Sequence, residues 1–183
     1  SRDGGALLIS IEGAETQSDV WVLPLDGKGK AQSLLSTKFN ERNARLSPDG
    51  RWIAYLSDES GRPEIYVQPY PGPGGKWQVS TDGGIEPAWS RDGREIFYRN
   101  GRRMMAVAVT RQPTFLAARP AVLFEGDYVA TEFPLTGAAY DVSADGQRFL
   151  MVKAVGERAP TAPAQLNIVL NWFEELRRRV PVN

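Results

Sequence analysis

The chain has 183 residues and carries 22 basic and 22 acidic side chains, so its formal net charge is zero, and it contains neither His nor Cys. The balanced charge removes the electrostatic signature of nucleic-acid binding. The missing residue types exclude a Ser-His-Asp triad, imidazole acid–base catalysis, disulfides and His/Cys metal sites. No stretch approaches the ~18 apolar residues that a membrane helix needs.

A four-residue phrase, Ser-x-Asp-Gly, recurs along the chain. It stands at 1–4, 47–50, 90–93 and 143–146. A period of about 40 to 45 residues is typical of a propeller blade built from four strands. The phrase itself has the residue preferences of a tight turn, with Ser first, Gly last and Pro48 second in one copy.

Runs rich in β-forming residues lie at matching places in each repeat. A short apolar segment precedes the phrase at 44–46, 87–89 and 140–142. A first run follows the phrase at 6–11, 52–56, 95–98 and 148–152. A second run lies at 19–25, 64–69, 103–109 and 165–172. Three repeats add a last segment, at 31–35, 77–80 and 121–124. Runs of this length between Gly, Pro, Asp and Ser predict strands. After residue 172, FEELRRR predicts a short helix that Pro181 ends.

The fold class that follows is all-β: a β-propeller fragment of about four blades, with four antiparallel strands in each and a short C-terminal helix. The blades are expected at approximately 1–39, 40–82, 83–134 and 135–172, with a helical tail at 173–183. Because the first repeat lacks the segment that precedes the phrase elsewhere, we expect an N-terminal truncation and further blades upstream. A closed ring of four blades is the alternative, since propellers have about four to eight blades.

The phrases LSPDGRWIAYLSDESG, EIYVQPY and EPAWS resemble the TolB-type, WD-like β-propeller repeat. The repeat after Ser143 resembles it less, because Ala144 replaces the usual proline. The closing LNIVLNWFEELRRRVP is similar to the C-terminus of bacterial serine/threonine protein kinases that carry such a propeller after a membrane segment. The resemblance implies an extracytoplasmic, periplasmic or cell-surface, location. The chain itself has no kinase motif.

The recurring aspartates are interpreted as structural turn residues, because they occupy one turn position in every repeat. They are Asp3, Asp49, Asp92 and Asp145. Binding is expected instead at the turns that lead into the inner strands, since loops on a rigid scaffold carry function. If those strands line a channel, its mouth holds Arg42, Asn43 and Glu86.

The predicted function is a non-catalytic β-propeller interaction or sensor module, with no catalytic, cofactor or metal residues of its own. The resemblance implies that this module is the C-terminal extracytoplasmic part of a bacterial serine/threonine kinase. Two alternatives stay open: the propeller of a prolyl-oligopeptidase-like hydrolase, and a periplasmic TolB-like assembly scaffold. The expected partner is a protein, a peptide or a small ligand at the propeller channel, and neither nucleic acid nor a membrane segment within the chain is expected.

Overall fold

The computed structural model describes residues 1, 4–13, 16–72, 74–111, 114–130 and 138–153, which form strands and connecting turns. The first sheet contains β1 (Ala6–Ile11), β2 (Asp19–Pro24) and β3 (Gln32–Leu35). The second contains β4 (Arg42–Leu46), β5 (Trp52–Ser57), β6 (Glu64–Pro69) and β7 (Trp77–Gln78). The third contains β8 (Ile85–Trp89), β9 (Glu95–Asn100), β10 (Arg103–Thr110), β11 (Leu116–Ala117) and β12 (Ala121–Glu125). The fourth contains β13 (Tyr140–Val142) and β14 (Phe149–Met151).

Every paired strand in these sheets is antiparallel to its neighbour, and the first two sheets run in simple chain order. The third sheet adds β11, which the sequence did not predict: β11 and β12 share the outer edge of β10. Phe115, next to β11, is buried against Trp52 and Trp77 of the second sheet, with ring centroids 5.1 and 5.3 Å away. The extra strand therefore positions an aromatic side chain between two sheets.

The sheets stack face to face, so successive residues of one strand face different neighbours. In β5, Ile53 and Tyr55 belong to a cluster with Val20 of the first sheet. Ala54 and Leu56, between them, belong to a cluster with residues of the third sheet. Burial of both faces explains why the central strands are almost continuously apolar rather than alternating.

The Ser-x-Asp-Gly turn has one geometry in the described copies. In the third copy, the Ser90 hydroxyl donates to Asp92 Oδ1 at 2.7 Å and accepts the Glu95 amide at 2.9 Å. Asp92 Oδ1 also accepts the Arg94 amide at 3.0 Å, and Gly93 takes a φ of +70°, which favours glycine. The bond from the Arg94 amide, and then that from Ser90, hold the pKa of Asp92 below its ordinary value. Serine and aspartate make the same contacts at 47–52 and 143–148.

The all-β prediction is confirmed, and the four sheets form a fragment of a β-propeller. The sheets lie inside the ranges predicted for the blades, while the boundaries between blades stay predictions. Three predicted features lie outside the described residues: Asp3, the strand at 165–172 and the C-terminal helix.

Candidate functional site

Strands β4 and β8 are the inner strands of the second and third sheets. They contact each other from sheet to sheet, as the strands nearest a propeller axis do, because radially stacked blades converge there. Near the start of each, one residue takes a left-handed backbone: Asn43 has φ +55° and Glu86 has φ +57°. These residues hold the same position in their repeats, and the pairing register shifts beside both.

Such a bulge turns side chains away from the regular alternation of a strand. A left-handed backbone also costs a residue with a side chain free energy, so surrounding contacts must maintain it. The same left-handed position recurs in the second and third sheets, so the bulge is a feature of the repeat. The sequence predicts a site in this region from turn position, and that prediction does not include the left-handed backbone.

Arg42, the first residue of β4, is partly buried. Its backbone pairs with Leu56 in the ladder. Its guanidinium makes no hydrogen bond or ion pair with any residue in the part of the chain that the structure describes. Arg42 is thus a positively charged side chain at the start of this inner strand.

Glu86 differs from Arg42, because its side chain is only 1% exposed. Its backbone carbonyl accepts the Tyr140 hydroxyl at 2.7 Å, which joins the third sheet to the fourth. Burial raises the pKa of Tyr140, so this hydroxyl remains a donor at physiological pH. The structure thus brings Arg42 and Asn43 together at a partly accessible surface and places the Glu86 carboxylate inside. The binding role of the three residues stays a prediction.

Glu41, beside Arg42 in the chain, has a buried side chain. Its two carboxylate oxygens accept the Thr37 hydroxyl and, at 3.3 Å, the Thr37 amide. Burial raises the pKa of Glu41, and the nearby charges of Asp19 and Glu59 add to the effect. The carboxylate therefore belongs to the framework that supports the loop before β4.

The sequence reasoning missed two hydrogen bonds, each from a serine hydroxyl to a carboxylate, that recur at the same place in two repeats. Glu64 opens β6 and accepts the Ser80 hydroxyl, the Gly83 amide at 2.9 Å and Arg62 Nε at 2.8 Å. Asp19 opens β2 and accepts the Ser36 hydroxyl at 3.0 Å. The two acids are 45 residues apart and the two serines 44. Recurrence at the repeat period was the available signal, and these contacts fix the loops that lead into β4 and β8.

Arg99, in β9, was missed as well. It is 1% exposed, and its guanidinium donates to the carbonyls of Gly101 at 3.0 Å and of Tyr128 and Val129 at 3.4 Å. Its Cζ lies 5.9 Å from the centroid of the Tyr128 ring. The buried cation holds the segment that follows β12 against the sheet.

Within the described ranges, no three or more acidic side chains are grouped so that they could hold a metal ion. The same residues contain no helix of the length and apolarity that crossing a bilayer requires.

No family model matches the chain. Among curated proteins, tricorn protease homolog 1 of Streptomyces coelicolor is 36% identical over 83 residues, which are 44% of this chain and 8% of that protein. A second tricorn protease homolog of the same organism is 37% identical over 70 residues, or 38% of this chain and 6% of that one. The match thus covers less than a tenth of each curated relative.

Two solved structures share the fold. A protein from Agrobacterium tumefaciens, provisionally named TolB, superposes with a TM-score of 0.54 at 18% identity over 68% of this chain and 47% of that one. A provisionally named 6-phosphogluconolactonase of Bacteroides uniformis superposes with a TM-score of 0.50 at 14% identity over 82% and 45%. At such identities the likeness shows the fold alone. The chain is similar to about half of each, and its fold is that of a β-propeller fragment.

Proposed function

We propose that this chain is a non-catalytic interaction module that binds a carboxylate of a protein or peptide partner at the N-terminal ends of its inner strands. The observation that carries the proposal is Arg42. A cation that is partly withdrawn from water and has no described partner loses hydration without compensation. A carboxylate ligand would restore that balance through charge-assisted, bidentate hydrogen bonds.

The surroundings of Arg42 support a preformed site. Asn43 keeps its left-handed backbone next to it, and Glu41 anchors the preceding loop from inside. Since the loop is held by buried contacts, binding would order few additional groups, which favours affinity. The charge of Arg42 also selects against basic partners.

Binding of acidic octapeptides tests this proposal. Fluorescent peptides rich in Asp and Glu are compared with matched peptides carrying Asn, Gln and an amidated C-terminus, and affinity is measured by anisotropy. We expect the acidic set to bind and Arg42→Ala to weaken binding about tenfold or more, as loss of a charged hydrogen bond does. Arg148→Ala is the matched control, because that arginine is 81% exposed and lies by the turn of the fourth repeat. Equal binding by both variants, or no preference for acidic peptides, would refute the site.

The kinase-linked role is a finer form of this proposal. In it, the module is the C-terminal, extracytoplasmic sensor of a bacterial serine/threonine kinase, and the Arg42 site receives the signal. The closing residues LNIVLNWFEELRRRVP support it through their resemblance to such kinases. Sequencing the gene upstream of the Ser1 codon provides the test: a kinase domain and a membrane helix are expected, and a signal peptide alone would count against the role.

A second candidate has its own support. The identity of 36% to part of a protein named as a tricorn protease homolog favours a propeller that belongs to a larger peptidase. A propeller of that kind would guide or gate substrates rather than cleave them. The full-length protein, assayed with fluorogenic peptides before and after treatment with a serine-reactive fluorophosphonate, should then show inhibitable cleavage. No cleavage would remove this candidate.

A further inference from the structure

Two buried acids lie where the first sheet adjoins the second. Asp19, at the start of β2, is 6% exposed, and Glu41, in the loop before β4, is 2% exposed. The Glu41 amide donates to the Ser18 carbonyl at 2.7 Å, and this bond joins the two chain segments. The contact therefore brings acidic residues from two repeats together inside the protein.

Both carboxylates accept hydroxyl hydrogen bonds from one short segment. Asp19 Oδ2 accepts the Ser36 hydroxyl at 3.0 Å, and Glu41 accepts the hydroxyl of Thr37, the next residue. The negative charge of Asp19 also acts on Glu41. We name these four residues the acidic junction. Their side chains offer oxygen atoms only, and oxygen is the ligand atom that hard cations prefer.

One oxygen of Asp19 lacks a partner. Its Oδ1 is buried and accepts no hydrogen bond from any residue that the structure describes. A buried carboxylate oxygen without a donor or a counter-ion loses its hydration without compensation, and native proteins rarely leave such an atom unsatisfied. This atom is the observation that points to a ligand at the acidic junction.

The basic side chains of the adjoining loop do not neutralise the two acids. The Lys38 Nζ lies over an aromatic ring, 5.2 Å from its centroid. No ion pair joins Lys38 or Arg42 to an acid in the part of the chain that the structure describes. Glu59, whose charge also acts on Glu41, is paired with Lys76. Among the described residues, the acidic junction therefore contains two carboxylates and no cationic side chain.

The next repeat shows how the chain itself neutralises the corresponding acid. Glu64, 45 residues after Asp19, accepts a serine hydroxyl in the same way and also accepts Arg62 Nε at 2.8 Å. Arg62 lies two residues before Glu64, and the residue two before Asp19 is Gln17, which is exposed and uncharged. The acidic junction thus lacks the guanidinium that its counterpart has.

We propose that the acidic junction binds one hard divalent cation, with Ca²⁺ as the best match, between Asp19 and Glu41. Glu41 supplies the second carboxylate, where the next repeat has Gly84. The hydroxyl oxygens of Ser36 and Thr37 lie beside the two acids and keep lone pairs for the ion. Ca²⁺ accepts irregular shells of about six to eight oxygens, water included, whereas Mg²⁺ demands a near-ideal octahedron. The proposal does not depend on carboxylate binding at Arg42.

Titration of the full chain with Ca²⁺ tests the site. The thermal unfolding midpoint is measured at neutral pH in EDTA and in about 1 mM Ca²⁺, a concentration to which extracellular calcium modules respond. We expect Ca²⁺ to raise the wild-type midpoint by about 2 °C or more, and Asp19→Asn or Glu41→Gln to abolish that rise. Asp127→Asn is the matched control, because that acid is 75% exposed after β12, and it should keep the rise. Calorimetric titration of the wild type should give one ion per chain.

Glu41→Gln adds a readout that a purely structural role would not produce. In EDTA this variant should be more stable than the wild type, because it removes an uncompensated charge. In Ca²⁺ only the wild type should gain, so the difference between the two should shrink or reverse. A wild-type midpoint that Ca²⁺ leaves unchanged, or a rise that persists in both junction variants, would overturn the proposal. An equal rise with Mg²⁺ would overturn the assignment to Ca²⁺.

Discussion

Arg111 joins two consecutive repeats through the turn residue Asp49. Its Nη1 donates to Asp49 Oδ2 at 2.6 Å, in the turn of the second repeat. Its Nη2 donates to the Asp92 carbonyl at 3.2 Å, in the turn of the third repeat. Asp49 therefore uses Oδ1 within its own turn and Oδ2 between sheets. Arg111 therefore links the turn of the second repeat directly to the turn of the third.

Replacing Arg111 with Ala should lower the free energy of unfolding by about 1 kcal/mol, because the ion pair is only partly exposed and a backbone carbonyl loses a donor. Thermal or urea unfolding measures the change. Arg103→Ala is the matched control: its pair with Glu125 lies within one sheet and is half exposed on both sides. We expect that control to cost less than about 0.5 kcal/mol. Equal losses would mean that the contact between repeats has no special weight.

Glu41 predicts a dependence of stability on pH. Burial raises its pKa in the folded protein, so the folded state favours the protonated acid. Its contribution to stability is therefore present below the ordinary glutamate pKa and declines as pH rises through the folded-state pKa. Glu41→Gln should stabilise the protein at pH 7, and the gain should disappear toward pH 4.

Unfolding midpoints of the wild type and the glutamine variant, compared across that range, provide the measurement. Gln keeps one carbonyl oxygen for the Thr37 hydroxyl but places an NH2 group beside the Thr37 amide. That lost bond is the same at every pH, so the change in the difference between pH 4 and pH 7 isolates the ionisation of Glu41. Glu125→Gln is the control for a surface carboxylate and should change the midpoint little at any pH. A stabilisation by Glu41→Gln that is the same at pH 4 and pH 7 would contradict the assignment to ionisation.

The sequence predicted most of the fold because the repeat supplies its own alignment. Once Ser47 and Ser90 were matched, the strands on either side followed from apolar runs and turn residues, and β4 to β10 occur where they were expected. The short strand β11 was missed because two residues carry no periodicity. Its position depends on Phe115 packing against another sheet.

The candidate site was less accessible to sequence reasoning. The position in the turn before an inner strand predicts a binding role for Arg42 and Glu86 equally. In the structure Arg42 is partly accessible, whereas Glu86 is buried. Asparagine adopts a left-handed backbone more readily than most residues, but only the structure, with its shifted register between β4 and β5, shows that Asn43 does so. The buried Arg99 is similar: only the sheet shows that carbonyls from residues 101 and 128–129 surround it.

Asn43 allows a direct test of the bulge in β4. Glycine takes a φ of +55° without steric cost, whereas a β-branched side chain does so only with strain. Asn43→Gly should therefore change the free energy of unfolding by less than about 1 kcal/mol, and Asn43→Val should lower it by about 1 to 3 kcal/mol. Chemical denaturation of the two variants measures the difference. If valine were tolerated as well as glycine, the left-handed backbone would not be maintained in solution.

Two substitutions at Arg99 separate the contribution of its side-chain volume to stability from the contribution of its charged guanidinium. Leu56 holds the same place in β5 and is fully buried there, so this position of the repeat accepts an aliphatic side chain. Arg99→Leu should lower the free energy of unfolding by about 1 to 2 kcal/mol, because the carbonyls of Gly101, Tyr128 and Val129 lose their donor while the apolar side chain still fills the space. Arg99→Ala should cost about 2 kcal/mol more than Arg99→Leu, because it also leaves a cavity.

Amide exchange in residues 126–130 completes this test. Both variants remove the donors to the Tyr128 and Val129 carbonyls, so both should accelerate exchange in that segment to a similar extent. The difference in free energy of unfolding between the two variants would then reflect side-chain volume. The faster exchange of residues 126–130 in both would reflect the loss of the guanidinium. If leucine were as destabilising as alanine, the charge would be supporting the sheet itself, because volume alone could not restore the lost free energy.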